Sequence, residues 1–153
     1  MPSFAVPNRQ NMNITSTDTQ LEYELQDLYI ASKHWLSDIA FAEDEAKFFH
    51  TVIDKYIKPD IINGHDAKLH HCKMMLYQQQ FEVIDLRNNV AAYLAFLTPL
   101  ISDTSKKIGI ELIETHSMLT DRIAALLDAV RLLKAELFAL AEDVIDNERN
   151  LFI

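Results

Sequence analysis

Residues 21–56 read LEYELQDLYIASKHWLSDIAFAEDEAKFFHTVIDKY. Leu21, Leu25, Leu28, Ser32, Trp35, Ile39, Ala42, Ala46, Phe49, Ile53 and Tyr56 follow one another in alternating steps of four and three. Only a helix brings such positions to one face, and the strict alternation is the a/d seam of a heptad pattern. Thr19 with Glu22, or Thr17 with Gln20, fits a capping box at the start of this helix. Pro59 ends it, because proline disfavours helical geometry at the residue before it, and Asn63-Gly64 supplies the turn.

The same pattern recurs twice downstream. A second helix opens at Asp66, whose carboxylate can cap it, and its seam runs Leu69, Cys72, Leu76, Gln79, Val83, Leu86, Val90, Tyr93, Leu97 and Leu100. Thr98-Pro99 either ends this helix or is absorbed near its end, and Ser102-Asp103-Thr104-Ser105 is the stronger break. The third seam is Leu112, His116, Leu119, Ile123, Leu126, Val130, Leu133, Leu137, Leu140 and Val144, with Gly109 near the start of its helix. The expected helices cover 18–57, 66–101 and 106–148. At 1.5 Å per residue each is roughly 60 Å long. Matched lengths and short connections predict an all-α fold, an antiparallel up-down-up bundle with left-handed packing.

Composition agrees. Two glycines and four prolines in 153 residues leave few turns, so the elements must be few and long. Residues 1–17 are polar and lack periodicity, and are expected to form a flexible arm with Phe4, Val6, Met12 and Ile14 as docking points, ahead of a bundle over 18–153. The first residues have no basic segment followed by an apolar one, so no signal peptide is expected, and no apolar run approaches the roughly 20 residues of a membrane span. The single cysteine suits a reducing compartment, and a cytoplasmic protein is expected. Asn13-Ile14-Thr15 then stands as a chance glycosylation sequon.

With 23 acidic against 14 basic side chains the formal charge is −9. That field repels phosphate backbones and anionic membranes, so neither nucleic acid nor a membrane surface is an expected partner.

The apolar surface is wider than one seam. Ile30, Phe41 and Phe48 on the first helix lie outside it, as do Tyr77, Phe81, Ile84, Ala91 and Ala95 on the second. Met118, Ala125, Leu132, Phe138, Ala139 and Ile145 do likewise on the third. A monomer would expose these stripes, and soluble monomers rarely expose large apolar patches. Phe41, Phe48, Tyr77, Phe81, Ile84, Leu132 and Phe138 are therefore the candidate interaction surface, covered by a second copy, with a two-fold dimer favoured, or by a partner helix.

Chemistry-bearing motifs are scarce. There is no Glu-x-x-His for a di-iron bundle, no Cys-x-x-Cys-His, no His-Glu-x-x-His, no phosphate-binding glycine loop and no Gly-x-Ser-x-Gly. No catalytic residue and no cofactor is expected. Folding the first hairpin about residue 61 and the second about 104 brings His50, Cys72 and Glu136 into one layer, with Asp54, His70 or His71 nearby. Imidazole, thiolate and carboxylate are a transition-metal set, and these three are the candidate metal ligands. Ser32, Tyr93 and His116 form a candidate polar core layer that fixes helix register. Gln79, facing Ala42 and Ala46, reads as a second such layer. His34 with Asp38, and His50 with Asp54, are helix-supporting i,i+4 pairs. The leading expectation is a non-enzymatic bundle acting through self-association or docking of a partner helix. The alternative is a metal- or small-ligand-binding bundle using its His, Cys and carboxylate groups.

Overall fold

The computed structural model describes residues 2–57, 66–102 and 109–151, and side chains over 23–57, 66–102, 109–147 and 149. The described residues are 98% helical, as three helices that pack on one another: α1 Pro2–Tyr56, α2 Asp66–Ser102 and α3 Ile110–Leu151. The all-α three-helix bundle expected from the heptads is the observed architecture. The span of α1 includes residues 2–17, read from sequence as an arm. The side chains expected to dock there lie outside the described residues.

Cross-helix contacts fix direction and register. Glu43 meets Arg87 and His50 meets Tyr77 across α1 and α2, so these helices are antiparallel. Arg122 meets Glu82 and Asp85, and Tyr93 meets His116, so α2 and α3 are antiparallel too. Glu45 meets Lys134 and Phe48 meets Phe138, which leaves α1 and α3 parallel. Each pair of helices thus carries at least one ion pair, of which the forked Arg122 contact is the best formed: Nε and Nη2 donate to Glu82 Oε1 at 3.0 and 2.8 Å, and Nη2 to Asp85 Oδ2 at 2.6 Å.

The core is the three seams. Every seam residue named for α2 is buried, and every one on α3 except the half-buried His116. On α1 the seam holds from Leu25 to Ile53, with Leu28 half-buried. At its end the pattern departs from expectation: Tyr56 is exposed, while Val52 and Ile57 are buried. A straight helix turns every 3.6 residues, so a 3.5-residue stripe drifts round it, and the drift shows where α1 ends. Pro99 is absorbed within α2. Both Pro99 and Ala95, whose carbonyl loses its helical donor, are exposed, so water can replace that bond.

Candidate functional site

All seven residues of the expected interaction surface are exposed, and they fall into separate places on the bundle. Phe41 and Phe48 lie on the flank of α1 next to α3. Phe41 shares a cavity of about 370 Å³ with Glu45, Leu127, Arg131 and Lys134. Phe48 meets Phe138 edge to face, with ring centroids 6.1 Å apart, and Lys134 Nζ stands 5.9 Å from the Phe138 ring centre. These two rings therefore cover part of each other within one chain, which reduces what Phe48 offers to a partner.

On α2 the outer face is more open. Met74, Tyr77, Phe81 and Ile84 are 46%, 62%, 73% and 59% exposed, stepping three, four and three along the helix. Asn88, Ala91 and Ala95 continue the same rhythm, and all three are exposed. This row lies about 150° round α2 from the buried seam at 3.5 residues per turn. The helix thus carries two heptad seams back to back, one inside the bundle and one outside it. Met74 is absent from the sequence-based set, although its spacing to Tyr77 placed it in the row.

Between α2 and α3 runs a groove with three cavities of about 410, 270 and 380 Å³. Met118, Ala125 and Ala139 line one cavity each, and Leu132, seven residues from both Ala125 and Ala139, belongs to the same row of α3. The small side chains of Ala125 and Ala139 fail to fill the angle between the helices, which leaves two of these cavities open.

Of the three residues of the candidate polar core layer, Tyr93 and His116 come together and Ser32 bonds within its own helix. Tyr93 Oη lies 3.2 Å from His116 Nδ1, and Trp35 packs on both rings, its centroid 4.7 Å from His116 and 6.0 Å from Tyr93. Burial pushes the Tyr93 phenol up to about 12, so it stays protonated and can donate to Nδ1. With that donation Nδ1 accepts, the arrangement of a neutral His116 that carries its proton on Nε2. Burial also pulls the His116 pKa below its ordinary 6.5. Ser32 is fully buried, but its hydroxyl donates to the Leu28 carbonyl of its own helix at 2.7 Å. Trp35, one turn on, takes the place expected of Ser32. Gln79 is buried and its Nε2 donates to the Ala129 carbonyl of α3 at 2.9 Å, while its Oε1 has no hydrogen-bond partner among the described residues.

Of the expected metal ligands, Cys72 and Glu136 come together and His50 does not. Cys72 is buried, and desolvation, then the Glu136 charge, raise its pKa, which disfavours the thiolate a metal would need. Both residues line the 410 Å³ cavity with His71, whose Nε2 is 3.4 Å from Glu136 Oε2. His50 faces Tyr77 instead, with ring centroids 6.4 Å apart. The error is one of register. The observed α1–α2 pairings are centred on about position 64, not 61, which carries His50 past Cys72 by more than a turn of α2. The α2–α3 hairpin is centred where expected, hence the correct pairing of Cys72 with Glu136. Among the described residues no group of three His, Cys, Asp or Glu side chains is placed to hold a metal ion.

No helix among the described residues is long and apolar enough to cross a membrane. Fold and surface together define a three-helix bundle with a second apolar row on its exterior. Comparison with protein-family models, with curated proteins and with solved structures finds no match to this chain.

Proposed function

We propose that this protein works by association, packing the exposed apolar rows of its helices against those of a second copy, and that it is not an enzyme. The observation that carries this reading is the doubled seam of α2. A helix that is apolar on opposite faces is stable in water only when both are covered, and the bundle covers one. Met74, Tyr77, Phe81 and Ile84 are contiguous on the other, at positions where a monomeric bundle places polar side chains. Burying each removes about 1.5–3 kcal/mol of unfavourable hydration, so four of them offset a large part of the entropic cost of association.

The reading is tested by sedimentation of the purified chain from roughly 1 to 100 μM, a range that brackets the affinities expected of such a surface. A dimer or larger species that gains mass with concentration is expected. A monomer throughout that range would overturn self-association and leave the docking of a different helical protein as the use of the same row.

A further inference from the structure

The outer row of α2 is graded along its length. Met74, Tyr77 and Phe81 are large, Ile84 stands at the middle, and Asn88, Ala91 and Ala95 are small. We infer that a second copy lays its α2 antiparallel on this row across a two-fold axis at Ile84, so that Met74 meets Ala95 of the other copy, Tyr77 meets Ala91, Phe81 meets Asn88 and Ile84 meets itself. This rests on the self-association proposed above and adds the face, the direction and the register.

Complementary volume is the first reason. Interiors pack to nearly constant density, and facing layers do so best when large residues oppose small ones. Antiparallel pairing about Ile84 makes every layer of the row except the one on the axis large against small. Parallel pairing in register would place Phe81 on Phe81 and Ala91 on Ala91, crowding one end and leaving a gap at the other. A shift of one heptad would either set Phe81 on Phe81 and Ile84 on Tyr77, crowding the middle, or put the polar Asn88 on the axis and oppose Tyr77 and Met74 with Thr98 and Ser102.

Area is the second. At exposures of 62% and 73%, Tyr77 and Phe81 present roughly 100–150 Å² each. Met74 and Ile84 bring the row to about 400 Å² per copy, half of what a standard interface takes from each partner. Asn88, Ala91 and Ala95, all exposed, add the small half of the row to that area. Charge is compatible as well. Asp85, the carboxylate nearest the axis, is held by Arg122 at 2.6 Å, and Arg87 on the opposite flank is held by Glu43. Neither flank brings an unpaired like charge to the axis.

Because Cys72 is the only cysteine, a cysteine-free background is one substitution away, Cys72→Ala. In it, Ile84→Cys is expected to form an intermolecular disulfide with itself under mild oxidation, since residues on the axis approach within the 4.4–6.8 Å that a disulfide spans. Met74→Cys alone is expected to stay unlinked, and to cross-link only when mixed with Ala95→Cys protein. Phe81→Asp with Ile84→Asp, both at exposed positions, is expected to raise the dissociation constant at least about 100-fold while the helical circular dichroism is kept. Self-linking through Met74→Cys, or none through Ile84→Cys in a protein that sediments as a dimer, would overturn this arrangement and leave self-association standing. A wild-type monomer at all concentrations would remove both.

Discussion

Replacing Gln79 by methionine is expected to stabilise the bundle, although it deletes a cross-helix hydrogen bond. The side chain is 4% exposed, and its amide is used on one side only: Nε2 reaches the Ala129 carbonyl at 2.9 Å, and Oε1 has no partner among the described residues. Losing the Nε2 bond costs about 1 kcal/mol net, and Ala129 is interior to α3, where its carbonyl keeps its main-chain partner. Removing a desolvated acceptor returns about 1–3 kcal/mol. A thioether of nearly the same shape adds about 1 kcal/mol of apolar transfer without leaving a void. The balance is a gain of about 1–3 kcal/mol, or roughly 2–12 °C in Tm for a chain of this length. Thermal and urea unfolding at one fixed protein concentration measure it, the concentration being held because association itself shifts Tm. Gln79→Ala is the control and should destabilise by about 2 kcal/mol through the cavity it leaves. A Gln79→Met protein destabilised by 1 kcal/mol or more would refute the reasoning, since it would mean that Oε1 has a strong partner whose loss outweighs the apolar gain.

The His116 pKa, lowered by burial beneath the Tyr93 phenol and the Trp35 ring, gives a second expectation. Below its ordinary value of 6.5 the unfolded chain takes up this proton more readily than the folded one. Stability from this group is therefore fully present above about pH 6.5 and is lost as pH falls through the lowered folded value. His116→Leu should flatten that part of the stability curve, and NMR titration of the imidazole should place its midpoint below 6.5; a midpoint above it would refute the neutral assignment. Phe48→Ala should cost about 1 kcal/mol in the monomeric fold by ending the edge-to-face contact with Phe138, read by urea unfolding of the Phe81→Asp, Ile84→Asp protein, whereas no change would mean that the pair contributes nothing. Zinc and chelator should each move Tm by less than about 1 °C, because a bound metal would stabilise by mass action; a larger rise with zinc would restore a metal at Cys72 and Glu136.

The heptads carried the fold because burial in a bundle depends on period alone. From Leu69 to Leu100 every position chosen by steps of three and four is buried, and no knowledge of the neighbouring helices was needed to choose them. Register is a different quantity. It depends on how many residues each connection takes up, and the turn expected at Asn63-Gly64, which lies outside the described residues, does not say where the helices first touch. Moving the hairpin centre by about three residues leaves every seam residue in the seam, but changes which residue it meets. This is why Cys72 with Glu136 was legible, His50 with Cys72 was not, and Trp35 replaced Ser32 beside Tyr93. Candidate sites assembled from one helix survive such an error, as the row of α2 does. Sites assembled from three helices do not.

The polar residues within the seams make the same point at the level of single atoms. Ser32, Gln79 and His116 all interrupt an apolar pattern, and periodicity alone treats them alike. A serine hydroxyl is short enough to turn back on its own helix, so Ser32 is satisfied at the Leu28 carbonyl and imposes nothing on its neighbours. His116 reaches across to the Tyr93 hydroxyl, and that bond ties α2 to α3 in one register. Gln79 also reaches α3, but at a main-chain carbonyl, of which every turn of a helix offers several. A bond of that kind specifies register poorly, because a slipped helix would present another carbonyl. Of the three, only the Tyr93–His116 pair demands a particular partner. The forked contact of Arg122 with Glu82 and Asp85, about two to three turns away along α2, demands another. Together they hold α2 against α3 on one side while the outer row of α2 stays open. The bundle is thus specific on its inner seam, where two side-chain contacts each demand one partner, while the outer row of α2 is exposed.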